Sequence, residues 1–150
     1  MMKNIILIMI VSFFTNCISR NETQYVLREN TVITKAKFFK IETKNGIHIF
    51  HFRNDSIEGV FVKAIDSNFA HKNYYPIKLN KKYTLILYKE LHANLRTEVI
   101  NTKIIENDII VWKRGMKSEY FVDCENVTGN MINPRFTLLK YIDPNSSLKY

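Results

Sequence analysis

The amino-acid sequence predicts a mainly β domain, most simply a small antiparallel barrel with one or two short helical turns. Apolar runs recur at roughly 8–12-residue spacing, which is typical of short strands joined by hairpin turns. Asn45-Gly46 is the clearest turn signal, because both central positions of a type I′ turn need positive φ. An open α+β antiparallel sheet is an alternative that fits these patterns almost as well.

The first three predicted strands cover residues 31–42, 47–53 and 57–65 and should form a continuous antiparallel meander. The second turn of this meander lies at residues 54–56, where Asn, Asp and Ser follow one another and favour a tight turn. Further strands are predicted over residues 77–79, 83–89, 99–105, 109–113, 119–123 and 136–142.

The predicted core residues all lie in the middle of strands, in alternating or wholly apolar runs. They are Phe39, Ile49, Phe61, Leu85, Leu87, Val111 and Phe121. Two irregular stretches, residues 67–71 and 90–97, could each form a short helical turn, and Pro76 would end any helix before it.

A three-strand meander followed by an irregular connection and further strands resembles the order of the OB-fold. The resemblance implies a barrel that binds oligonucleotides or oligosaccharides on the face of its second and third strands. Here that face would be formed by residues 47–53 and 57–65.

The N-terminal segment indicates export. Lys3 precedes an apolar run over residues 5–14, which is shorter than the about 20 residues that a bilayer span needs. Its length suits the apolar region of a signal peptide, roughly 7–15 residues behind a basic start. Cys17 follows directly, and this arrangement resembles the lipobox of bacterial lipoproteins. The resemblance implies cleavage before Cys17 and acylation of its thiol. An ordinary secretory signal and an uncleaved anchor are the alternatives.

These assignments divide the chain into a signal peptide (1–16), a lipidated tether (17–30), a single β-rich domain (31–142) and a disordered tail (143–150). The expected location is the outer membrane or another membrane of the cell envelope. Because acyl chains would hold the protein there, no transmembrane helix is required.

Composition supports a folded, non-catalytic domain. Hydrophobic residues make up 46% of the chain, with ten Phe and eight Tyr, which excludes a disordered protein. The formal charge of +8 is spread along the chain and is attributed mainly to a solvated basic surface. With Cys17 acylated, Cys124 has no partner for an intrachain disulfide, and we expect a small buried residue rather than a nucleophile.

The sequence holds no motif typical of a metal, nucleotide or nucleophilic catalytic site. His48 and His51 stand three positions apart on a predicted strand, so they point to opposite faces and cannot share one ion without a bulge. Asp123 and Glu125 do share a face. We therefore predict no enzymatic activity, no metal and no cofactor.

Binding is the stronger hypothesis. Lys72, Tyr74, Tyr75 and Lys78 interleave cations with aromatic rings in the longest irregular connection, a pattern that can stack sugars or bases and hold an anion. The alternative is a Tyr pair packed over the barrel end. Export makes nucleic acid an unlikely partner. Residues 55–57 are also similar to the Asp-Ser-aliphatic sequon of periplasmic O-glycosylation in some Gram-negative bacteria, which would place a glycan on Ser56.

The sequence therefore predicts a non-enzymatic, lipid-anchored envelope protein that displays a small β-barrel. Its expected partners are the membrane, through the N-terminal lipid, and an envelope protein or glycan. The alternative is an exported binding module for a glycan or another small polar ligand.

Overall fold

The computed structural model describes residues 22–66, 72–89 and 103–140, and these form strands and turns without any helix. The predicted mainly β class is therefore confirmed. The strands are short except for the second, which is 14 residues long. In chain order they are β1 (Thr23–Leu27), β2 (Thr31–Lys44), β3 (Ile47–Arg53), β4 (Glu58–Ala64), β5 (Tyr75–Pro76), β6 (Lys82–Tyr88), β7 (Lys103–Glu106), β8 (Ile109–Lys113), β9 (Glu119–Tyr120), β10 (Asp123–Cys124), β11 (Val127–Thr128), β12 (Met131–Ile132) and β13 (Phe136–Lys140).

The main sheet has the order β10-β6-β2-β3-β4-β9 and curls into a half-barrel. Its long strand β2 pairs with β6 through residues 31–37 and with β3 through residues 37–44, both antiparallel. Strands β3 and β4 also pair antiparallel, so the predicted meander is confirmed. Asn45 and Gly46 both have positive φ (45° and 80°), as the predicted type I′ turn requires.

Strands β9 and β10 stand at the two ends of this sheet, although only residues 121 and 122 separate them in the chain. The predicted strand 119–123 is thus divided between two edges. Strand β9 is parallel to β4, and β10 is antiparallel to β6. Between them the Phe121 N–H donates to the Val60 carbonyl at 2.9 Å, and the Val122 N–H donates to the Tyr88 carbonyl at 2.9 Å.

Aromatic rings fill the concave side of the sheet. The Phe50 and Phe61 rings stack with centroids 4.9 Å apart, and Phe38 meets both rings edge-on. Of the predicted core residues, all except Phe39 are buried. The prediction for Phe39 is wrong because a bulge between Phe38 and Lys40 shifts the register of β2. Phe38 takes the inner position, and Phe39 lies half-buried with the Arg53 guanidinium 4.9 Å from its ring centre.

The convex side of β3 and β4 carries a second apolar cluster. Ile47, Ile49, Val60 and Val111 are its buried members, and Val111 belongs to the hairpin of β7 and β8. The turn of this hairpin has positive φ at Asn107 and is joined to the turn between β2 and β3. Each Asn donates from Nδ2 to the other's carbonyl, Asn45 to Asn107 at 3.0 Å and Asn107 to Asn45 at 2.9 Å.

The ends of the chain segment from 22 to 140 pair with each other. Strand β1 is parallel to β13, with Thr23 opposite Phe136 and Leu27 opposite Lys140. Residues 23–27 were assigned to the tether from the sequence, and the structure corrects that boundary, because they form a strand of the folded domain. In addition, β11, β12 and β5 form a small sheet of two-residue strands.

A few predictions are wrong or lie outside the described residues. The extended segment predicted at 77–79 is wrong by two positions, since the paired residues are Tyr75 and Pro76, opposite Ile132 and Met131. The predicted signal peptide 1–16, the two helical turns at 67–71 and 90–97, and the tail 143–150 lie outside the described residues, as does part of the predicted strand 99–105.

Candidate functional site

An open groove of about 390 Å³ lies between β1 and the segment that begins with β10. One wall comes from β1 and the residue after it, and the other wall comes from the acidic residues around Cys124. The lining consists mostly of polar side chains with one aromatic ring: Gln24, Tyr25, Val26, Arg28, Asp123 and Glu125. These side chains offer hydrogen-bond donors, acceptors and one ring to a polar ligand.

A buried amide holds these walls in place. Asn126 is fully buried, and its Oδ1 accepts a hydrogen bond from the Ile86 N–H at 3.1 Å. Its Nδ2 donates to the carbonyls of Thr84 at 2.9 Å and Asn133 at 3.1 Å. Asn133, also fully buried, donates from Nδ2 to Thr23 Oγ1 at 2.9 Å. The amides therefore connect β6 to the first residue of β1, and no polar side-chain atom buried in the described residues lacks a partner.

The charged groups of the groove are partly neutralised by ion pairs. Arg28 Nε lies 3.6 Å from Glu125 Oε1, and the Arg28 guanidinium lies 5.4 Å from the centre of the Tyr88 ring. Asp123 pairs with Lys63. The Arg28 side chain is 63% exposed, so its ion pair can exchange for a ligand at low cost in free energy.

Tyr25 connects the groove to one of the predicted binding residues. Its hydroxyl lies 3.0 Å from the hydroxyl of Tyr74. Burial and then this hydrogen bond raise the pKa of Tyr25 above its ordinary value, so the phenol stays neutral. Tyr74 thus supports a wall of the groove through Tyr25, and the structure assigns no free stacking face to it.

The other predicted binding residues do not line the groove. Tyr75 is 52% exposed, and its backbone pairs with Ile132 in the small sheet. Lys72 and Lys78 are exposed, and the Lys78 N–H donates to the Tyr83 hydroxyl at 2.9 Å. The structure therefore places Tyr75, Lys72 and Lys78 on an exposed connection rather than around one cavity.

Cys124 and the described histidines have local roles. Cys124 is fully buried, burial raises its thiol pKa to about 12, and its Sγ lies 3.4 Å from Asn126 Oδ1. A neutral buried thiol is a poor nucleophile. His48 packs edge-on against Phe50, whereas His51 lies 3.3 Å from Glu42, and burial lowers the pKa of both imidazoles. Within the described residues no three His, Cys, Asp or Glu side chains could hold a metal ion.

Ser56, the candidate glycosylation site, lies exposed in the turn between β3 and β4. Asn54 Oδ1 accepts hydrogen bonds from the Ser56 N–H at 2.8 Å and the Ile57 N–H at 2.7 Å, which confirms the turn predicted there. Cys17 lies outside the described residues, so its acylation stays a prediction.

Sequence reasoning missed Gln24 and Arg28, because both fell in the predicted tether. The alternation in Thr23-Gln24-Tyr25-Val26 is a signal that could have suggested a strand. The shared face of Asp123 and Glu125 was predicted, and both side chains do line the groove.

Comparisons with protein-family models, curated proteins and solved structures gave no significant match. In the described ranges there is also no helix with the length and apolarity needed to cross a bilayer.

Proposed function

We propose that this protein is a non-enzymatic, lipid-anchored protein of the bacterial cell envelope, acylated at Cys17, that displays its β domain at the membrane surface. The sequence of Lys3, the apolar run 5–14 and Cys17 carries this proposal. The non-enzymatic role is proposed from the sequence, which holds no motif typical of a metal, nucleotide or nucleophilic catalytic site.

The start of β1 sets how far the domain can stand from the bilayer. Only residues 18–22 separate Cys17 from Thr23, the first residue of β1. Whatever their conformation, these residues span at most about 20 Å. An acylated Cys17 at headgroup level would therefore keep the domain next to the membrane, without the long tether that the sequence suggested.

The domain itself is proposed to be a closed, OB-like barrel. This is supported by the segment 119–124, which hydrogen-bonds to β4 on one side and to β6 on the other. With that segment counted as one strand, the order around the barrel is β2-β3-β4-segment-β6. That order matches the partly open five-stranded Greek-key barrel of the OB-fold.

The anchoring proposal is tested by mass spectrometry of the mature protein expressed in a Gram-negative bacterium. Wild type should begin at Cys17, carry acyl groups and float with membranes, because acylated chains partition into the bilayer. Cys17→Ser should lack acyl mass and stay an uncleaved precursor. Cys124→Ala is the matched control for the loss of a thiol and should keep the lipid. Mature wild type without acyl mass in the soluble fraction would contradict the proposal.

The groove favours a second candidate function, an exported binding module for a glycan or another small polar ligand. Arg28, Glu125 and Gln24 offer hydrogen-bond donors and acceptors beside the Tyr25 ring. If this function holds, the full chain should be retained on a glycan array. Arg28→Ala and Glu125→Gln should each reduce retention about tenfold or more, since charge-assisted hydrogen bonds are the stronger ones.

Glu119→Gln is the control for the binding test, because Glu119 pairs with Lys89 outside the groove. It should bind like wild type. Replacing both Tyr74 and Tyr75 with Ala tests the predicted aromatic pair in the same assay, with circular dichroism as a check of folding. If the double tyrosine variant lost retention and Arg28→Ala kept it, the ligand would bind on the exposed connection and not in the groove.

A further inference from the structure

A row of cations crosses three adjacent strands of the main sheet. Lys37 in β2 stands directly opposite Lys82 in β6 and, on its other side, directly opposite Arg53 in β3. The inward positions next to these residues hold Ala36, Phe38, Phe52 and Tyr83, so alternation puts all three cations on the convex face. Directly opposed residues on one face have Cβ atoms about 4.5–5.5 Å apart. We call Lys82, Lys37 and Arg53 the basic row.

The basic row is only partly neutralised by the fold. None of its three cations forms an ion pair with another described residue. Glu58 in β4 stands directly opposite Arg53 and is the one acid in line with the row, and its Oε2 lies 3.6 Å from Lys117 Nζ. Lys37 and Lys82 have no acid opposite them in the sheet. Like charges that stand directly opposite one another destabilise a sheet, so folding does not explain this arrangement. An anionic partner that binds the three cations would explain it.

The row is widened on both sides by further groups that suit an anionic partner. Lys35 stands two residues before Lys37 on the same face and is exposed. At the other end, the Phe39 ring packs under the Arg53 guanidinium, which fixes the cation on the surface. Arg and Lys held in register across strands present a continuous array of positive charge on the convex face.

The first residue of β1, on the side of the domain that leads to Cys17, is linked by hydrogen bonds to β6, the strand that carries Lys82. Thr23 Oγ1 is bonded to Asn133 Nδ2, and Asn126 Nδ2 is bonded to both the Asn133 carbonyl and the Thr84 carbonyl. Thr84 is the partner of Lys35 across β2 and β6. These bonds link the beginning of β1 to β6 at Thr84, two residues along that strand from Lys82.

We infer that the basic row docks the domain on the anionic phospholipid headgroups of the bilayer that holds Cys17. The inference rests on the proposed acylation, which brings the start of β1 within about 20 Å of the membrane. Negative lipid surfaces attract cations that lie within a Debye length of them. The lipid anchor thus supplies attachment, and the basic row supplies orientation.

The test uses the acylated full chain, extracted from membranes, verified by mass and reconstituted into vesicles. A donor dye is placed at Leu79→Cys, an exposed position just before β6, or at Ala64→Cys, at the far end of β4. Cys17 is then blocked by lipid and Cys124 is buried, so the dye reacts at the introduced thiol. Energy transfer to headgroup-labelled lipid reports distance from the bilayer.

With phosphatidylglycerol in the vesicles, transfer should be higher from position 79 than from position 64. The difference should be lost in pure phosphatidylcholine, and also in high salt, which shortens the Debye length from about 10 Å at 0.1 M to about 3 Å at 1 M. The double variant Lys37→Glu/Lys82→Glu should abolish the difference. Lys103→Glu/Lys113→Glu changes the net charge equally at two exposed lysines that stand directly opposite each other in β7 and β8, and it should preserve the difference.

Equal transfer from the two positions in anionic vesicles would overturn the docking inference while the chain still floats with them. If both double variants lost the difference in transfer equally, the inference would also be overturned, since net charge alone would then explain the effect. Retention of the full chain on heparin, with no approach of position 79 to the bilayer, would assign the row to a soluble anionic glycan instead. The mass of the protein is measured before reconstitution. If the acyl mass is absent at that stage, the result contradicts the anchoring proposal and does not test the docking inference.

Discussion

Gly59 lies on β4 where two phenyl rings converge. A Cβ atom added there would lie 2.6 Å from Phe52 Cε1 and 2.9 Å from Phe121 Cε2, distances at which something must move. Both rings are fully or almost fully buried in the core. Gly59→Ala should therefore lower the free energy of unfolding by about 1–3 kcal/mol, the usual cost of overpacking a core. Urea denaturation of the full chain measures it.

A second variant identifies the cause of this loss. Phe52→Leu removes the outer ring atoms that the new methyl group would meet. In that background Gly59→Ala should cost less than it does alone, because neighbouring substitutions that relieve one clash are not additive. Equal costs in the two backgrounds would mean that the backbone of residue 59, and not its contact with Phe52, requires glycine.

Glu42 should make the stability of the protein sensitive to acid. Its carboxylate lies 2.7 Å from Lys40 Nζ and 2.9 Å from Lys44 Nζ, and these hydrogen bonds lower its pKa from 4.5 to about 2. A carboxyl whose pKa is lowered on folding stabilises fully above its unfolded value, and this contribution is lost as the pH falls through the folded value. Between pH 4.5 and about 2, wild type should lose stability more steeply than Glu42→Gln.

The comparison is read from thermal unfolding across that window. Salt should narrow the gap between the two proteins, because the lysines are about half exposed and screened by ions. Parallel pH profiles for wild type and Glu42→Gln would show that the ion pairs contribute nothing to stability.

Phe39 shows where residue-scale prediction from the sequence fails. Alternation predicted that its ring lies in the core, but a bulge in β2 puts Phe38 in the inner position instead.

At the level of elements, the two linked turns should govern how firmly the hairpin of β7 and β8 is held. Asn45→Gly keeps a residue that tolerates φ of 45° and removes one of the two reciprocal hydrogen bonds. The expected loss is about 0.5–1.5 kcal/mol, at the lower end because the bond is exposed. Hydrogen exchange should rise at the β8 amides and stay unchanged in β6.

The control for the turn variant is Asp108→Gly, at a neighbouring position that also has positive φ (64°). Its effect reports the change of turn flexibility without loss of the bond to Asn45. If both variants loosen β8 equally, the hydrogen bonds between the turns do not hold the hairpin.

Local patterns explain which elements could be predicted. Strands β3 and β8 match their predicted bounds, because each has a turn signal at one end and a continuous apolar or alternating run between. The two-residue strands β5, β11 and β12 have no period to detect. Strand β1 is held by β13, more than a hundred residues away, so nothing near it in the sequence reveals its partner.

The same distance dependence limits the prediction of the site. Arg28 and Glu125 meet across the groove, and the buried amides of Asn126 and Asn133 connect the first residue of β1 to β6 there. Asparagines lie mostly at protein surfaces, so nothing in the sequence marks these two as buried. The shared face of Asp123 and Glu125 could be predicted, since it depends only on their spacing of two residues.

For the molecule as a whole, the proposed closed barrel depends on one segment that serves both sheet edges. The Val122 N–H bonds to the Tyr88 carbonyl on β6, and the Phe121 N–H bonds to the Val60 carbonyl on β4. Val122→Pro removes the first of these donors, and proline has no N–H to replace it. In a closed barrel the segment cannot leave one edge without loosening the other.

We therefore expect Val122→Pro to raise hydrogen exchange in both β4 and β6 and to lower the unfolding midpoint as one cooperative transition. Val122→Ala keeps the N–H and shortens a side chain that is 39% exposed, so it should resemble wild type. Increased exchange confined to β6, with β4 as protected as in Val122→Ala, would show that the two edges open independently. The sheet would then be an open half-barrel, and the OB-like closure proposed above would be wrong.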